Sequence, residues 1–190
     1  MISDSPLTPR AELAELTREH ILRGMERMVT SGSESFTFKS LAQAAGIPER
    51  TIYRHFGDKD ALYQAFYSRL NGKIIAPDLP RDPDDLVRYT RDLYASFDRQ
   101  PELVRAMLNN PIGRELRDAQ AAPRTAKFVS ALSGIANRLA GPEATALLAA
   151  VEVLCSATGW DRLTRMTGPD KAAAAAGWAI AALIEQAKRT

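Results

Sequence analysis

The chain has 190 residues, enough to bury a real core as one large domain or two small ones, and at 45% hydrophobic and 25% charged residues it is not a disordered tail. Formal net charge is only +2, with ten Lys or Arg against nine Asp or Glu up to residue 74 and fifteen against fourteen beyond it, so overall charge does not argue for a nucleic-acid partner. The single cysteine, Cys155, excludes an internal disulfide, and its apolar neighbours Val153 and Leu154 predict a buried thiol rather than a redox sensor.

Met1–Leu7 is a polar lead, expected to be loose; with Asp4 and no apolar core of signal-peptide length it fits a cytoplasmic protein. Thr8-Pro9 starts a helix that runs to about Thr30, with Leu13, Leu16, Ile21, Leu22, Met25, Met28 and Val29 as its apolar stripe. His20 has no second ligand one turn on and is read as packing, not metal binding. Ser31, Gly32 and Ser33 end the helix, and Phe36 and Phe38 lead as core aromatics into a compact motif.

That motif runs from Thr37 to Leu62. Thr37 caps a short helix carrying Leu41, Ala42 and Ala45 on one face, and Gly46 ends it where a left-handed residue is needed. Pro48 suits the first position of a second helix, Pro48 to His55. At 100° per residue, Ile52 and Phe56 form its buried edge, Arg50, Thr51 and Arg54 face away, and Tyr53 and His55 lie on the flanks. A helix in a major groove needs this division, with bases under its outer face and a phosphate strand along each flank. Arg50 or Arg54 has the donor fork for guanine, and Glu49 can accept from a cytosine amino group. Asp58 caps the next helix, and Lys59 just inside it offers a charge and a backbone N–H to a phosphate. From Lys39 to Lys59 four basic residues stand against Glu49 and Asp58, an excess that favours DNA because of its placement.

The helix after Asp58 continues through Leu62, Phe66 and Leu70 toward Ile75 as a connecting rod, with Tyr63, Phe66 and Tyr67 facing a second domain. Pro77, Pro80 and Pro83 break the pattern between Ala76 and Pro83, which places the boundary there: residues 1–75 and 76–190. The remainder reads as helix throughout. The expected segments are Asp84–Arg99, a short helix from Pro101, Pro111–Gln120 as irregular or a further short helix, Ala122–Ala140, one helix from Glu143 to about Met166, and Asp170–Lys188. The fold class is therefore all-α, a three-helix helix-turn-helix domain followed by a helical domain, about nine helices in all. The last helix contains the alanine run Ala172–Ala176. Its uncharged stretch of thirteen residues, 172–184, is too short for a membrane span and predicts close helix packing.

The stretch FTFKSLAQAAGIPERTIYRHFGDKDAL resembles the N-terminal domain of the TetR family of bacterial transcriptional regulators, through Thr37, Ala45-Gly46, Thr51-Ile52-Tyr53, His55-Phe56, and Lys59 with Asp60 and Leu62. Pro48 departs from the family's usual Ser or Thr cap, so one cap bond of about 1 kcal/mol is absent. The resemblance implies double-stranded DNA as partner, with phosphate contacts from Thr51, Tyr53, His55 and Lys59 and base contacts from Lys39, Glu49, Arg50 and Arg54. It also implies a homodimer formed by the last two long helices, to which Leu147, Val151, Trp160, Ala175, Trp178 and Leu183 are assigned. A palindrome with half-sites about 34 Å apart would let two short recognition helices read enough bases. A pocket for a small, largely apolar effector is implied as well, with Tyr94, Phe97, Met107, Phe128, Cys155 and Trp160 as candidate lining, and the expected function is a ligand-released repressor.

Two other readings compete: a constitutive DNA-binding protein without effector, and an α-helical enzyme. Against the enzyme stand two histidines, one cysteine, and no HExxH, P-loop or GxSxG motif. No metal or cofactor is expected.

Overall fold

The computed structural model describes residues 8–33, 35–74 and 77–190; the lead Met1–Leu7 and the junction at Ile75 and Ala76 lie outside the described residues. Eleven helices and no strand occur among them: α1 (Pro9–Thr30), α2 (Phe38–Ala45), α3 (Glu49–Phe56), α4 (Lys59–Ile74), α5 (Asp85–Asp98), α6 (Pro101–Asn109), α7 (Pro111–Ala119), α8 (Ala121–Ala136), α9 (Gly141–Leu154), α10 (Ala157–Thr167) and α11 (Pro169–Arg189).

The count exceeds nine for two reasons. Pro111–Ala119 is a regular helix, started by the Asn110 side chain, whose Oδ1 accepts from the Ile112 amide at 2.8 Å. The helix expected from Glu143 to Met166 is two, because Cys155 leaves helical geometry (φ −90°, ψ 39°) and the Ser156 hydroxyl caps a new helix by accepting from Gly159 N at 3.0 Å. Gly159 makes this break possible: a β-carbon there would lie 2.2 Å from the Val153 carbonyl oxygen. The helix expected to reach Ala140 ends at Ala136, with Asn137 as its cap.

Two apolar clusters form the interior. In the first, Ile21, Met25 and Val29 of α1 pack with Leu41, Ile52, Leu62 and Phe66 from α2, α3 and α4, and with Leu103, Met107, Ile112 and Leu116 from α6 and α7. The second surrounds α5, with Leu86, Leu93 and Tyr94 against Phe128 of α8, Val151 of α9, Trp160 of α10, and Ala176, Ile180 and Ile184 of α11. Small residues on α11 let its backbone approach α5 closely, the use expected for the alanine run.

The stripe on α1 needs correction. Leu13 and Leu16 are 66% and 67% exposed. The packing helices reach α1 only from about Arg18 and Glu19 onward, where Arg18 donates to the His55 carbonyl and Arg69 of α4 grips Glu19. Further along, Arg69 and Lys73 also pair with Glu26. Asn110 is a buried junction, 4% exposed, that donates from Nδ2 to the carbonyls of Ser33 at 2.9 Å and Val29 at 3.4 Å.

Glycine substitutions should separate backbone approach from helix propensity. In α7, a β-carbon on Gly113 would lie 2.0 Å from the Met107 carbonyl oxygen, so Gly113→Ala should destabilise by about 1–3 kcal/mol. Gly134 of α8 is exposed with open space around it, so Gly134→Ala should stabilise by up to about 1 kcal/mol. Urea unfolding of the two variants checks both signs.

Candidate nucleic-acid interface

The α2-turn-α3 unit is fixed by local chemistry. Thr37 and Ser40 cap reciprocally, Ser40 N donating to Thr37 Oγ1 at 2.9 Å and Thr37 N to Ser40 Oγ at 3.0 Å. Gly46 sits at φ 67°, ψ 34°, the left-handed geometry that ends α2. Pro48 is the residue flanking α3 rather than its first turn, with extended geometry and no side-chain cap bond, so Glu49 opens the helix. Gly57 ends α3 at φ 75°, and Asp58 starts α4 by accepting from the Ala61 amide at 2.8 Å.

Basic side chains of α1 complete the other ends, a role the sequence reading missed. The last carbonyls of a helix lack partners within it. Arg27 donates to the Ala44 carbonyl at 2.8 Å, His20 Nε2 meets the Ala45 carbonyl at 2.6 Å, and the Arg18 guanidinium, 4.4 Å over the Phe56 ring, donates to the His55 carbonyl. These three side chains hold the C-termini of α2 and α3 against α1. Basic residues spaced along α1 were the only available signal, and the carbonyls they meet lie 17 to 37 residues away in the chain.

With Ile52 and Phe56 buried, α3 turns Arg50, Tyr53 and Arg54 to the surface. Lys39 of α2 is exposed beside them, and Glu49, Thr51 and His55 are half-buried at the edges. Tyr53 rests its ring on Phe38, 4.4 Å between centroids, and is 52% exposed. Burial, with Arg54 and then Arg18 nearby, holds the His55 imidazole below its ordinary pKa, so the ring is neutral at neutral pH. Among the described residues no carboxylate forms an ion pair with Lys39, Arg50 or Arg54.

Lys59 is placed differently. Its Nζ lies 2.6 Å from Glu115 Oε2 of α7 and over the rings of Tyr63 and Phe36, while the Tyr63 hydroxyl donates to the same carboxylate oxygen at 2.7 Å. Lys59 and then Tyr63 hold the Glu115 carboxyl below its usual range, and burial with Glu115 nearby pushes the Tyr63 phenol up. The ammonium expected at a phosphate is therefore shared with α7.

Behind this unit a cavity of about 610 Å³ opens between α4, α5, α6, α7, α8 and the α9–α10 junction. Of the six residues expected to line it, Phe97, Met107 and Cys155 do so. Tyr94, Phe128 and Trp160 do not, because each is turned into the second cluster: Tyr94 donates to the Leu154 carbonyl at 2.8 Å, Phe128 packs on Tyr89, and Trp160 donates to Asp98 at 2.8 Å. Tyr67, Tyr89, Leu93, Arg117 and Arg124, unassigned from sequence, are in the wall. Tyr67 was legible to the extent that the connecting helix was expected to turn it toward a second domain. Burial pushes the Cys155 thiol up to about 11, and Thr90 Oγ1 lies 3.1 Å from its sulfur.

On the far side, the residues assigned to a dimer interface divide. Trp178 of α11 is 76% exposed and Ala175 is half-buried beside it. Leu147, Val151 and Trp160 are buried within the chain and form no outer face, while half-buried Leu183 packs against the second cluster. Val153 and Met166 are also exposed. Among the described residues no helix is long and apolar enough to cross a membrane.

Comparison with known proteins agrees with this geometry. The family described as bacterial regulatory proteins, tetR family, matches residues 21–66, from the buried half of α1 to Phe66 of α4. Over 115 residues the chain is 31% identical to the nucleoid occlusion factor SlmA of Vibrio vulnificus, in strain YJ016 and equally in strain CMCP6, covering 53% of this chain and 57% of the relative. The chain thus spans little more than half the length of the curated relatives it matches. No solved structure matches it significantly.

The link to α7 has a pH signature. A carboxyl whose folded pKa is depressed stabilises above its unfolded value and loses that contribution as pH falls through the folded one. Both partners are about half exposed, so the Lys59–Glu115 pair contributes at most about 1 kcal/mol. Glu115→Gln should lower stability at neutral pH, and the gap to wild type should narrow once pH falls below the unfolded carboxylate value of about 4.3 and close below the depressed folded value. Thermal unfolding of both proteins across that range measures it; a gap that persists at low pH would show that Glu115 acts by packing instead.

Proposed function

By residues 21–66 the chain belongs to the tetR family of bacterial regulatory proteins, and from that premise we propose that it is a cytoplasmic DNA-binding transcriptional regulator. In this reading it is a repressor that binds a palindromic operator as a homodimer and is released by a small-molecule ligand. The observation that carries the reading is the face of α3: Arg50, Tyr53 and Arg54 are outward, and among the described residues neither arginine has an ion-pair partner, on a helix whose other side is buried and whose C-terminal end is held by Arg18. Residues 1–75 take the DNA-binding role and residues 76–190 the ligand and dimer roles, with α6 and α7, packed against the first cluster, as the joint.

Arg50, Arg54, Lys39 and Glu49 read bases, and Thr51, Tyr53, His55 and Lys59 meet phosphates. The cavity is the ligand site. Its wall includes Leu116 and Arg117, which follow Glu115 on α7, so a ligand that moves this helix acts on Lys59 and through it on the start of α4. A ligand shifts the equilibrium only by its differential affinity for the two arrangements. The second copy packs on the outer face of α11, where Ala174, Trp178 and Ala181 share one stripe. A solvent-facing indole beside small residues suits close helix contact.

A second reading is favoured by the likeness to a nucleoid occlusion factor: a DNA-bound protein whose output lies outside transcription and needs no effector. Selection of bound duplexes from a random library, followed by a search for compounds that release the selected DNA, separates the two.

Tyr53→Phe should weaken binding to all duplexes by a similar factor, whereas Arg50→Ala should relax preference at one base pair by about 1–3 kcal/mol. Equal losses on random DNA in both variants would contradict that division of labour. Trp178→Glu should convert the dimer to monomer in sedimentation without loss of helicity. An unchanged sedimentation coefficient would move the interface elsewhere.

A further inference from the structure

The cavity carries charge that an apolar ligand leaves unused. Its α7–α8 wall contains Arg117, Arg124 and Lys127. Arg117 is committed: its guanidinium donates to the Met107 and Leu108 carbonyls, and burial, opposed by Asp118 beside it, lowers its pKa. Arg124 and Lys127 form no ion pair among the described residues. Arg124 is half-buried, and its charge works against that of Arg117 and reaches the Tyr89 phenol inside the second cluster. The one other acidic side chain in the wall, Asp78, belongs to the segment after α4. A half-buried cation without an ion-pair partner among the described residues is open to an anionic ligand. Where α4, α5 and α6 line it, the wall is largely apolar, with Leu70, Ile74, Leu93, Phe97 and Val104.

We infer that the ligand is an amphiphile with an anionic head, a carboxylate or phosphate monoester, held by Arg124 and Lys127 while its apolar body lies among Leu70, Ile74, Leu93, Phe97 and Val104. This rests on the cavity being the ligand site and goes beyond it by naming the chemistry. The guanidinium of Arg124 supplies two parallel donors to an oxyanion, and the Lys127 ammonium adds a point charge at the more exposed edge. A volume of about 610 Å³ is in the range for a body of drug-like size. The head gains charge-assisted hydrogen bonds from Arg124 and Lys127, and the apolar body gains from leaving water.

Three probes with one tail test this: decanoate, decyl phosphate and 1-decanol, titrated calorimetrically into the full chain. At least one anion should bind about tenfold or more tightly than the alcohol, a preference that shrinks with added salt, and the tighter anion identifies the head. The double variant Arg124→Ala, Lys127→Ala should abolish that preference and leave 1-decanol affinity unchanged. Lys127→Ala alone, at an exposed position, should reduce it by a smaller factor and guards against misfolding of the double variant. Equal binding of all three probes to wild type, binding of none, or an unreduced preference in both variants would overturn the inference. Release of library-selected DNA by each probe keeps it apart from the regulator reading. Head-dependent binding without release leaves the site and removes ligand control, while equal release by alcohol and anions leaves ligand control and removes the head-group chemistry.

Discussion

Asn110 makes three hydrogen bonds from a buried position, and much of the architecture hangs on them. Its amide nitrogen satisfies carbonyls at the end of α1, and its oxygen satisfies the first turn of α7. A side chain lacking that amide would strand buried polar groups on both helices, each a penalty of about 1–3 kcal/mol. With α7 pinned there, Ile112 and Leu116 complete the core beneath the helix-turn-helix unit, Glu115 reaches Lys59, and Arg117 reaches the cavity. One short helix thus presents a different residue to each of three environments.

The consequence for regulation lies in how stiff each attachment is. Close contact of Gly113 with the α6 backbone and the amide of Asn110 resist sliding, because they involve backbone atoms with no room to adjust. The Lys59–Glu115 pair is half exposed and yields readily. A shift of α7 under a bound ligand therefore meets least resistance at its link to the start of α4. In the proposed function that is the link nearest the DNA.

The sequence was most informative where a signal and its effect lie within one turn. Thr37, Gly46 and Asp58 act on neighbours three or four residues away, and the alternation of Ile52 and Phe56 with Arg50 and Arg54 follows from helix periodicity alone. Periodicity names an apolar side but not what covers it. Leu13 and Leu16 continue the stripe of Ile21 and Met25 without a break, yet only the later part of α1 has neighbours. Trp160 and Trp178 illustrate the same point, since adjacent helices sink one and expose the other. The break at Cys155-Ser156 carries neither proline nor glycine; the glycine that permits it, Gly159, stands inside the following helix. Cavity walls and solid core draw on the same residue types, so Phe97 and Phe128 could not be told apart before the helices were assembled.

The two tryptophans also give the chain a pair of internal optical reporters. Trp160 is 1% exposed, hydrogen-bonded to Asp98, and stacked edgewise on Phe97 of the cavity wall, 5.6 Å between centroids. Its indole emits from a dry, fixed surrounding and senses any repacking of Phe97. Trp178 is exposed, so its emission is expected to be red-shifted and open to quenchers until something covers it. In the proposed function, occupancy of the interior and association at the surface would thus fall on separate chromophores within one unlabelled molecule.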